Sequence, residues 1–460
     1  MNVVIVGVTA IGSVLAKYMV EEGHDVHVVD PSAEAIQQLL SHVDVRALQG
    51  DMSDPGIQSE VQIGTSDLVL AVTNSDTDNI VTALGLHSLA PKARAAIWVR
   101  EEQFTTNTHI WNGSQLDQTM LLTPERNALQ LVMDLLEIPL AFEVVSFLGG
   151  RIHIAGFRLQ ESSPLLGKPL HEIDKSRENR TLVVAVERHG QTIIPNGDFR
   201  FEVDDRLYLP LLEGRELSSA FAFMGLEQSH LRMHHTRHVI GGGGRMALHL
   251  ALKLEEEGCQ PTLVERDRQR CQFLAERLSK TRVLQGDVTD PGLLHELLDP
   301  VTTYIALTGN QEINFMSSVL ARRLGAGRSI TMFDNEGYIA LSSFMGIDAA
   351  VHPNLTAIGQ VLGLLRPCDV LEAQLLLGGK LEAALIRLNM ESPMANKPLR
   401  EVGIPHGVIL AAVVRGNNQL MLPDGNTVCH HNDQILLVSN RQGKIKQKMR
   451  KLILPQGMAS

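Results

Sequence analysis

The sequence predicts an α/β protein built from two doubly wound parallel sheets, each followed by a smaller α+β module. Three observations carry that expectation. Val3-Val4-Ile5-Val6 is an apolar run of the kind that fills a strand buried on both faces, and a tight Gly7-Val8-Thr9-Ala10-Ile11-Gly12 turn follows it. Ile11, Leu15, Tyr18 and Met19 then recur at helical spacing, before a second apolar run, Val26–Val29, that an acid, Asp30, closes. The pattern returns later in the 460-residue chain: Gly7 and Gly242 lie 235 positions apart, and so do Asp30 and Glu265. One glycine-rich turn is a weak signal, whereas two in register define a repeat.

Taken in order, the elements support a tandem. Leu48-Gln49-Gly50-Asp51 and then Ser53-Asp54-Pro55 reappear as Leu284-Gln285-Gly286-Asp287 and Thr289-Asp290-Pro291. The apolar strand Leu68–Val72 gives Thr73-Asn74-Ser75-Asp76 and ends at Asn79; its twin, Tyr304–Leu307, gives Thr308-Gly309-Asn310-Gln311 and ends at Asn314. A helical pattern follows in each copy (Ile80, Ala83, Leu84 and His87 in the first), then a strand, Ala95–Val99 or Ser329–Phe333. Short β runs alternating with helices predict a Rossmann-like doubly wound sheet in each copy, residues 1–123 and 236–352. Ala128, Leu131, Val132, Leu135 and Leu136 between Pro124 and Pro139 predict a linker helix within 124–142, and a counterpart falls within 353–370. Residues 143–228 and 371–456 then change to β-branched alternation with turn signals. Here Ser163-Pro164-Leu165-Leu166-Gly167-Lys168-Pro169-Leu170 matches Ser392-Pro393-Met394-Ala395-Asn396-Lys397-Pro398-Leu399, and Ile194-Pro195-Asn196-Gly197-Asp198 matches Leu422-Pro423-Asp424-Gly425-Asn426.

Composition narrows the classes. Lys plus Arg number 41 and Asp plus Glu 52, an excess of 11 negative charges that argues against nucleic acid or an anionic lipid surface as partner. Cys259, Cys271, Cys368 and Cys429 show no Cys-x-x-Cys spacing and read as reduced cytosolic thiols. Met1 leads straight into the first strand, so no signal peptide is expected, and no stretch approaches the roughly 20 apolar residues that span a bilayer. The expectation is a cytoplasmic protein that reaches a membrane only through a partner.

The chemistry of the two turns is that of dinucleotide recognition. Glycines let backbone approach a pyrophosphate, a helix N-terminus faces the phosphates, and a carboxylate ending the next strand takes ribose hydroxyls. In the first copy Gly7 permits the turn, Gly12 permits close helix packing, and Val8, Thr9, Ala10 and Ile11 complete the loop. Thr9 stands where the fingerprint has its second glycine, and its branched side chain crowds that approach. Asp30 follows Gly12 by 18 residues, near the spacing of about 20 that the fingerprint sets. Asp51 is placed near adenine or ribose, Thr73 and Asn74 at the carboxyl end of the fourth strand, and Arg100 completes the set. The second copy reads Gly242-Gly243-Gly244-Arg245-Met246-Ala247 without the steric objection. Glu265 takes the place of Asp30, and Asp287, Thr308 and Gly309 those of Asp51, Thr73 and Asn74. Arg266 beside Glu265 would tolerate a 2′-phosphate, which leaves NAD and NADP both open there.

Two histidine clusters, His234-His235-Thr236-Arg237-His238 and His430-His431, read as solvated linker and hairpin turn, since no second ligand cluster accompanies them; no metal site is expected. The basic stretch Arg441–Lys451 reads as a solvated terminal helix. Gly-x-Ser-x-Gly, P-loop and His-Glu-x-x-His patterns do not occur.

The tandem order, the glycine turns, the Gln-Gly-Asp and Val-Thr-Asn-Ser-Asp segments and the duplicated Ser-Pro modules together resemble the TrkA family over nearly the whole chain. That resemblance implies paired RCK (KTN) domains: Rossmann-like N-terminal domains and small C-terminal modules. It implies a regulatory subunit of a Trk-type potassium uptake system, forming homo-oligomeric rings, dimeric or tetrameric, on the cytoplasmic face of a potassium-transporting membrane subunit. NAD(H), with ADP or ATP at one or both sites, would bias ring shape. The family places an arginine two residues before Arg100, where this chain has Trp98. The competing class, an NAD(P)-dependent oxidoreductase, needs a substrate pocket and a proton donor facing the nicotinamide. The duplicated turn-rich modules offer no acid/base constellation, so a regulator without chemistry of its own is expected.

Overall fold

A computed structural model describes residues 1–101, 104, 111, 116–117, 119–173, 181–213, 217–226, 233, 236–342, 344–365, 369–416, 419–441 and 452. The His234-His235 pair and the basic stretch from 442 to 451 lie outside the described residues. The first sheet contains β1 (Asn2–Val6), β2 (Asp25–Asp30), β3 (Arg46–Gln49), β4 (Leu68–Ala71), β5 (Arg94–Trp98) and β6 (Met120–Leu122). They pair in the order β3-β2-β1-β4-β5-β6, all parallel. Helices α1 (Ala10–Glu21), α2 (Ala33–Leu40), α3 (Pro55–Glu60) and α4 (Asp76–Leu89) connect the strands. Val3, Val4, Ile5 and every residue of β4 are fully buried, which is why those runs read as continuously apolar. The strand order reverses between β1 and β4, and the crevice at that switch point is where ligands of such sheets lie. The short β6 was not expected; three residues carry too little pattern to announce a strand.

Helix α5 (Pro124–Glu137) leads to an antiparallel sheet of β7 (Glu143–Phe147), β8 (Ile152–Arg158), β9 (Ala185–Arg188), β10 (Gln191–Ile193) and β11 (Arg206–Leu212), ordered β10-β9-β11-β8-β7. Helix α6 (Leu217–Met224) follows. The second parallel sheet repeats the first: β12 (Arg237–Gly241), β13 (Thr262–Glu265), β14 (Arg282–Gln285), β15 (Thr302–Ala306), β16 (Arg328–Met332) and β17 (Ala349–Val351), ordered β14-β13-β12-β15-β16-β17. Its helices are α7 (Arg245–Glu256), α8 (Arg268–Ala275), α9 (Pro291–Leu297), α10 (Gln311–Arg323) and α11 (Glu336–Ser342). Helix α12 (Pro353–Leu365) precedes the second antiparallel sheet, β18 (Val370–Leu376), β19 (Leu381–Arg387), β20 (Val408–Arg415), β21 (Gln419–Met421) and β22 (Gln434–Asn440), ordered β18-β19-β22-β20-β21.

The chain divides into two compact units, and neither follows the linear order. One comprises Met1–Asn127 with Asn354–Leu364; the other comprises Ala128–Pro353 with Leu365–Ser460. Helix α12 thus belongs almost wholly with the first parallel sheet, where Asn127 Nδ2 meets Gln360 Oε1 at 3.5 Å and the Arg94 guanidinium donates to the Leu364 carbonyl. Within the other unit, Ala128, Val132, Leu135 and Leu136 of α5 share a core with Leu250, Ala251 and Leu254 of α7 and with Phe157 and Leu207 of the first antiparallel sheet. The fully buried Arg328 caps the end of α5, donating to the carbonyls of Leu135 at 2.5 Å and Ala141 at 2.6 Å. Burial brings its pKa down to about 10.

The two antiparallel sheets of this unit share a core that includes Phe147, Ile154, Tyr208, Leu381, Leu436 and Val438. They are also clasped reciprocally. The Leu377 N–H donates to the Glu143 carboxylate at 3.0 and 3.2 Å, and the Leu148 N–H donates to the Glu372 carboxylate at 3.1 and 3.2 Å. Glu143 and Glu372 are 229 positions apart, as are Leu148 and Leu377, so one pseudo-twofold relates both bonds. Leu148 (φ 54°) and Leu377 (φ 53°) hold the left-handed conformation that leucine rarely adopts, and each is followed by two glycines in the same region.

Candidate functional site

The same crevice is built twice. Leaving β1, Gly7 takes φ +108° and donates its N–H to Val29 O at 2.8 Å; an added Cβ would lie 2.8 Å from the Thr73 backbone. Gly242 does the same in the second copy, at φ +101°, with its N–H on Val264 O at 2.8 Å and Thr308 Cα 2.8 Å from where a Cβ would stand. Helices α1 and α7 begin at Thr9 and Gly244, both in ordinary extended backbone, so neither cap requires glycine. The Thr9 hydroxyl is committed inward: it donates to Val72 O at 2.7 Å and accepts from Gly12 N at 3.2 Å, capping α1. Ala10 and Ile11 continue into that first turn, as the exposed Arg245 and half-buried Met246 do in α7. A Cβ on Gly12 would stand 2.1 Å from Gly7 O, so α1 packs hard against the turn; Ala247, fully buried, fills the same place in the second copy.

The strand-ending acids bridge backbone in one pattern. Asp30 accepts from Val8 N at 2.7 Å and from Ser32 N at 2.8 Å. Glu265 accepts from Gly243 N at 2.7 Å and from Asp267 N at 2.8 Å. The longer glutamate fits because residue 243 has no side chain: a Cβ there would lie 2.9 Å from Glu265 Oε2 and 2.7 Å from Leu274 Cδ1. Aligning the two turns in register shows the paired change, Val8 with Asp30 against Gly243 with Glu265, and that was the signal available. Arg270, overlooked in the sequence, donates Nε to Gly243 O at 2.6 Å and lies 4.4 Å over the Phe273 ring.

At the ends of β4 and β15 the copies agree atom for atom. Asn79 Oδ1 accepts from Thr73 N at 2.9 Å and Thr73 Oγ1 at 2.8 Å, while its amide donates to Thr73 O and Trp98 O. Asn314 Oδ1 accepts from Thr308 N and Oγ1 at 2.8 and 2.6 Å, and its amide donates to Thr308 O and Met332 O. Both asparagines are buried and fix the threonines at these strand ends. Their signal was a Thr-to-Asn spacing of six in each copy. Asp51 and Asp287 close local turns, each accepting from a backbone N–H two residues on at 2.8 Å. The backbone bond from Ser53 holds the Asp51 carboxyl low, and the Thr289 hydroxyl does so for Asp287.

Beyond β5 the copies part. Asp76, nearly buried, accepts from Arg100 N at 2.9 Å, Glu101 N at 2.8 Å and Arg100 Nε at 3.4 Å. The Arg100 guanidinium also donates to the carbonyl of Asn74 and lies 4.9 Å over the Trp98 ring. In the second copy Gln311 and Asp334 hold these places, and the exposed Gly309 replaces Asn74.

Among the described residues no group of three or more His, Cys, Asp or Glu could hold a metal ion. One serine cluster does occur: Ser146 Oγ donates to Asp134 and meets His153 Nδ1 at 3.1 Å. Serine sits between acid and imidazole there, whereas a nucleophilic triad needs the imidazole in the middle.

Comparison with known proteins places both halves. The TrkA-N domain family matches residues 3–110 and 238–353, and the TrkA-C domain family matches 154–209 and 383–449. The Trk system potassium uptake protein TrkA of Halomonas elongata is 30% identical over 442 residues, covering 95% of each chain. The GsuK channel superposes with TM-score 0.61 at 16% identity, covering 96% of this chain and 77% of its own. The GsuK channel bound to NAD superposes with TM-score 0.58 at 16% identity over the same shares, a likeness of fold. No helix among the described residues is long and apolar enough to cross a membrane.

Proposed function

The chain belongs to the TrkA family, and from that premise we propose that it is a nucleotide-sensing regulatory subunit of potassium uptake. It would bind the cytoplasmic side of a Trk-type potassium-transporting subunit as a homo-oligomeric ring and perform no chemistry itself. The observation that carries this reading is the doubled crevice, in which a strand-ending carboxylate ties each glycine turn to the following helix. The fit to a dinucleotide is favourable: Gly244 and Gly309 border open space, and both carboxylates are aimed at the turn. In the first site Gly7–Gly12, Asp30, Thr73 and Asn74 would hold NAD(H), with Asp51 near the adenosine end and Arg100 fixing the Asn74 loop. In the second, Gly242–Ala247, Glu265, Asp287, Thr308 and Gly309 would hold NAD(H), ADP or ATP.

Occupancy can bias a ring only by the ligand's differential affinity for its conformations. Two sensors per chain explain a duplicated architecture, while an oxidoreductase would leave the second copy and both antiparallel modules without a role. Calorimetric titration of the purified chain with NADH, NAD, ADP and ATP tests the sensor reading, with two sites per chain as the expected result. Silence toward all four nucleotides, or hydride turnover with a small carbonyl compound, sinks it.

A further inference from the structure

We propose that Trp98 is a stacking platform that makes the first site select dinucleotides over adenosine mono-, di- and triphosphates. This rests on the nucleotide-binding reading above and adds the ligand class. Trp98 ends β5, whose register with β4 sets Ile97 opposite Ala71, so residue 98 stands at the same sheet edge as Thr73. Asn79 ties the two together, donating to both carbonyls at 3.1 and 2.9 Å. In such sheets a dinucleotide extends along the carboxyl ends from the β2 side past the switch point, so its second base falls on the β4–β5 side.

The ring is held in place by its own neighbours. It is half-buried, the Arg100 guanidinium lies 4.9 Å over it, and Nε1 reaches Glu125 Oε2 in a long bond of 3.4 Å. A side chain fixed in advance loses little freedom on stacking, so more of the contact energy appears as affinity. Terminal phosphates meet less help. The turn from Gly7 to Gly12 has no basic residue, and Arg100 is engaged by Asp76 and the Asn74 carbonyl. The second copy has Met332 in place of the indole and Arg245 within its turn, and it lacks this preference.

The test uses the full chain carrying Gly243→Val, which drives a side chain into Glu265 and silences the second site, and titrates NADH and ADP. Stacking of one base is worth a factor of about 5 to 150, so Trp98→Ala is expected to weaken NADH at least about five-fold and ADP less than about three-fold. Trp98→Phe should restore most of the NADH affinity. Equal losses for both ligands, or no loss for either, overturn the platform while leaving nucleotide binding intact. Failure of the Gly243→Val chain to bind any nucleotide overturns both readings for this site.

Discussion

The two parallel-sheet copies share their backbone devices and differ in the side chains that line them. Asn79 and Asn314 make the same four bonds, and Asp30 and Glu265 bridge the same two amides. Against this, Gly12 faces Ala247, Val8 faces Gly243, the Asp76–Arg100 pair faces Gln311 and Asp334, and Val20 faces Glu255. Duplication thus preserved what places the turn, while positions that set fit, charge and stiffness diverged. Equivalent substitutions should therefore give unequal effects.

The largest inequality is expected at the helix–turn contact. Gly12→Ala forces a methyl group to 2.1 Å from Gly7 O and should destabilise the first sheet by about 3 kcal/mol. Ala247→Gly in the second copy should cost only about 1 kcal/mol. Hydrogen exchange of the α1 and α7 amides reads both, and equal effects would break the distinction.

Acid should separate the copies next. Glu255 is buried, which opposes ionisation, yet bonds from Thr281, Lys280 and Ser279 outweigh that and lower its pKa to about 2. A depressed carboxyl pKa gives stability that is complete above about pH 4.5 and is lost as pH falls toward 2, on the order of 2–3 kcal/mol. Amides 279–281 should lose protection between about pH 4.5 and 2.5, and Glu255→Gln should remove that pH dependence. The first copy, with Val20 there, should show no matching transition.

The smallest expected effect sharpens the difference between the acids. Gly243→Ala should weaken nucleotide binding at the second site about ten-fold, or about 1.4 kcal/mol, by pressing on Glu265, whereas Val8→Ala should leave the first site within about two-fold. Site-resolved titration distinguishes the two.

Much of this was legible because it is local or repeated. Apolar runs, strand-ending acids and paired glycines announce βαβ units, and the 235-residue repeat fixes which residues correspond. What stayed hidden depends on contacts between distant segments. The sequence draws attention to Gly244, yet a Cβ there meets open space, while Gly243 is the glycine on which Glu265 depends. The bond of the Thr9 hydroxyl to Val72, 63 positions away, leaves no mark in the sequence. The pairing of Arg100 with Asp76, 24 positions away, is likewise invisible in sequence. The reciprocal Glu143 and Glu372 clasp had only its 229-residue repeat as a trace.

The membership of α12 in the first unit sets a timetable for biogenesis. Ile358, Val361 and Leu362 are fully buried, and the chain that supplies them emerges only after Ala128–Pro353 has been made. At roughly 5–20 residues per second a nascent first sheet waits on the order of ten to fifty seconds for its last helix. The added cost of closing so long a loop is small, about 2 kcal/mol beyond a loop of 30 residues, because it grows only with the logarithm of length. The delay is the greater hazard: the apolar face that this helix covers stays open until Leu365 has been made. A chain terminated before residue 353 would never supply that helix.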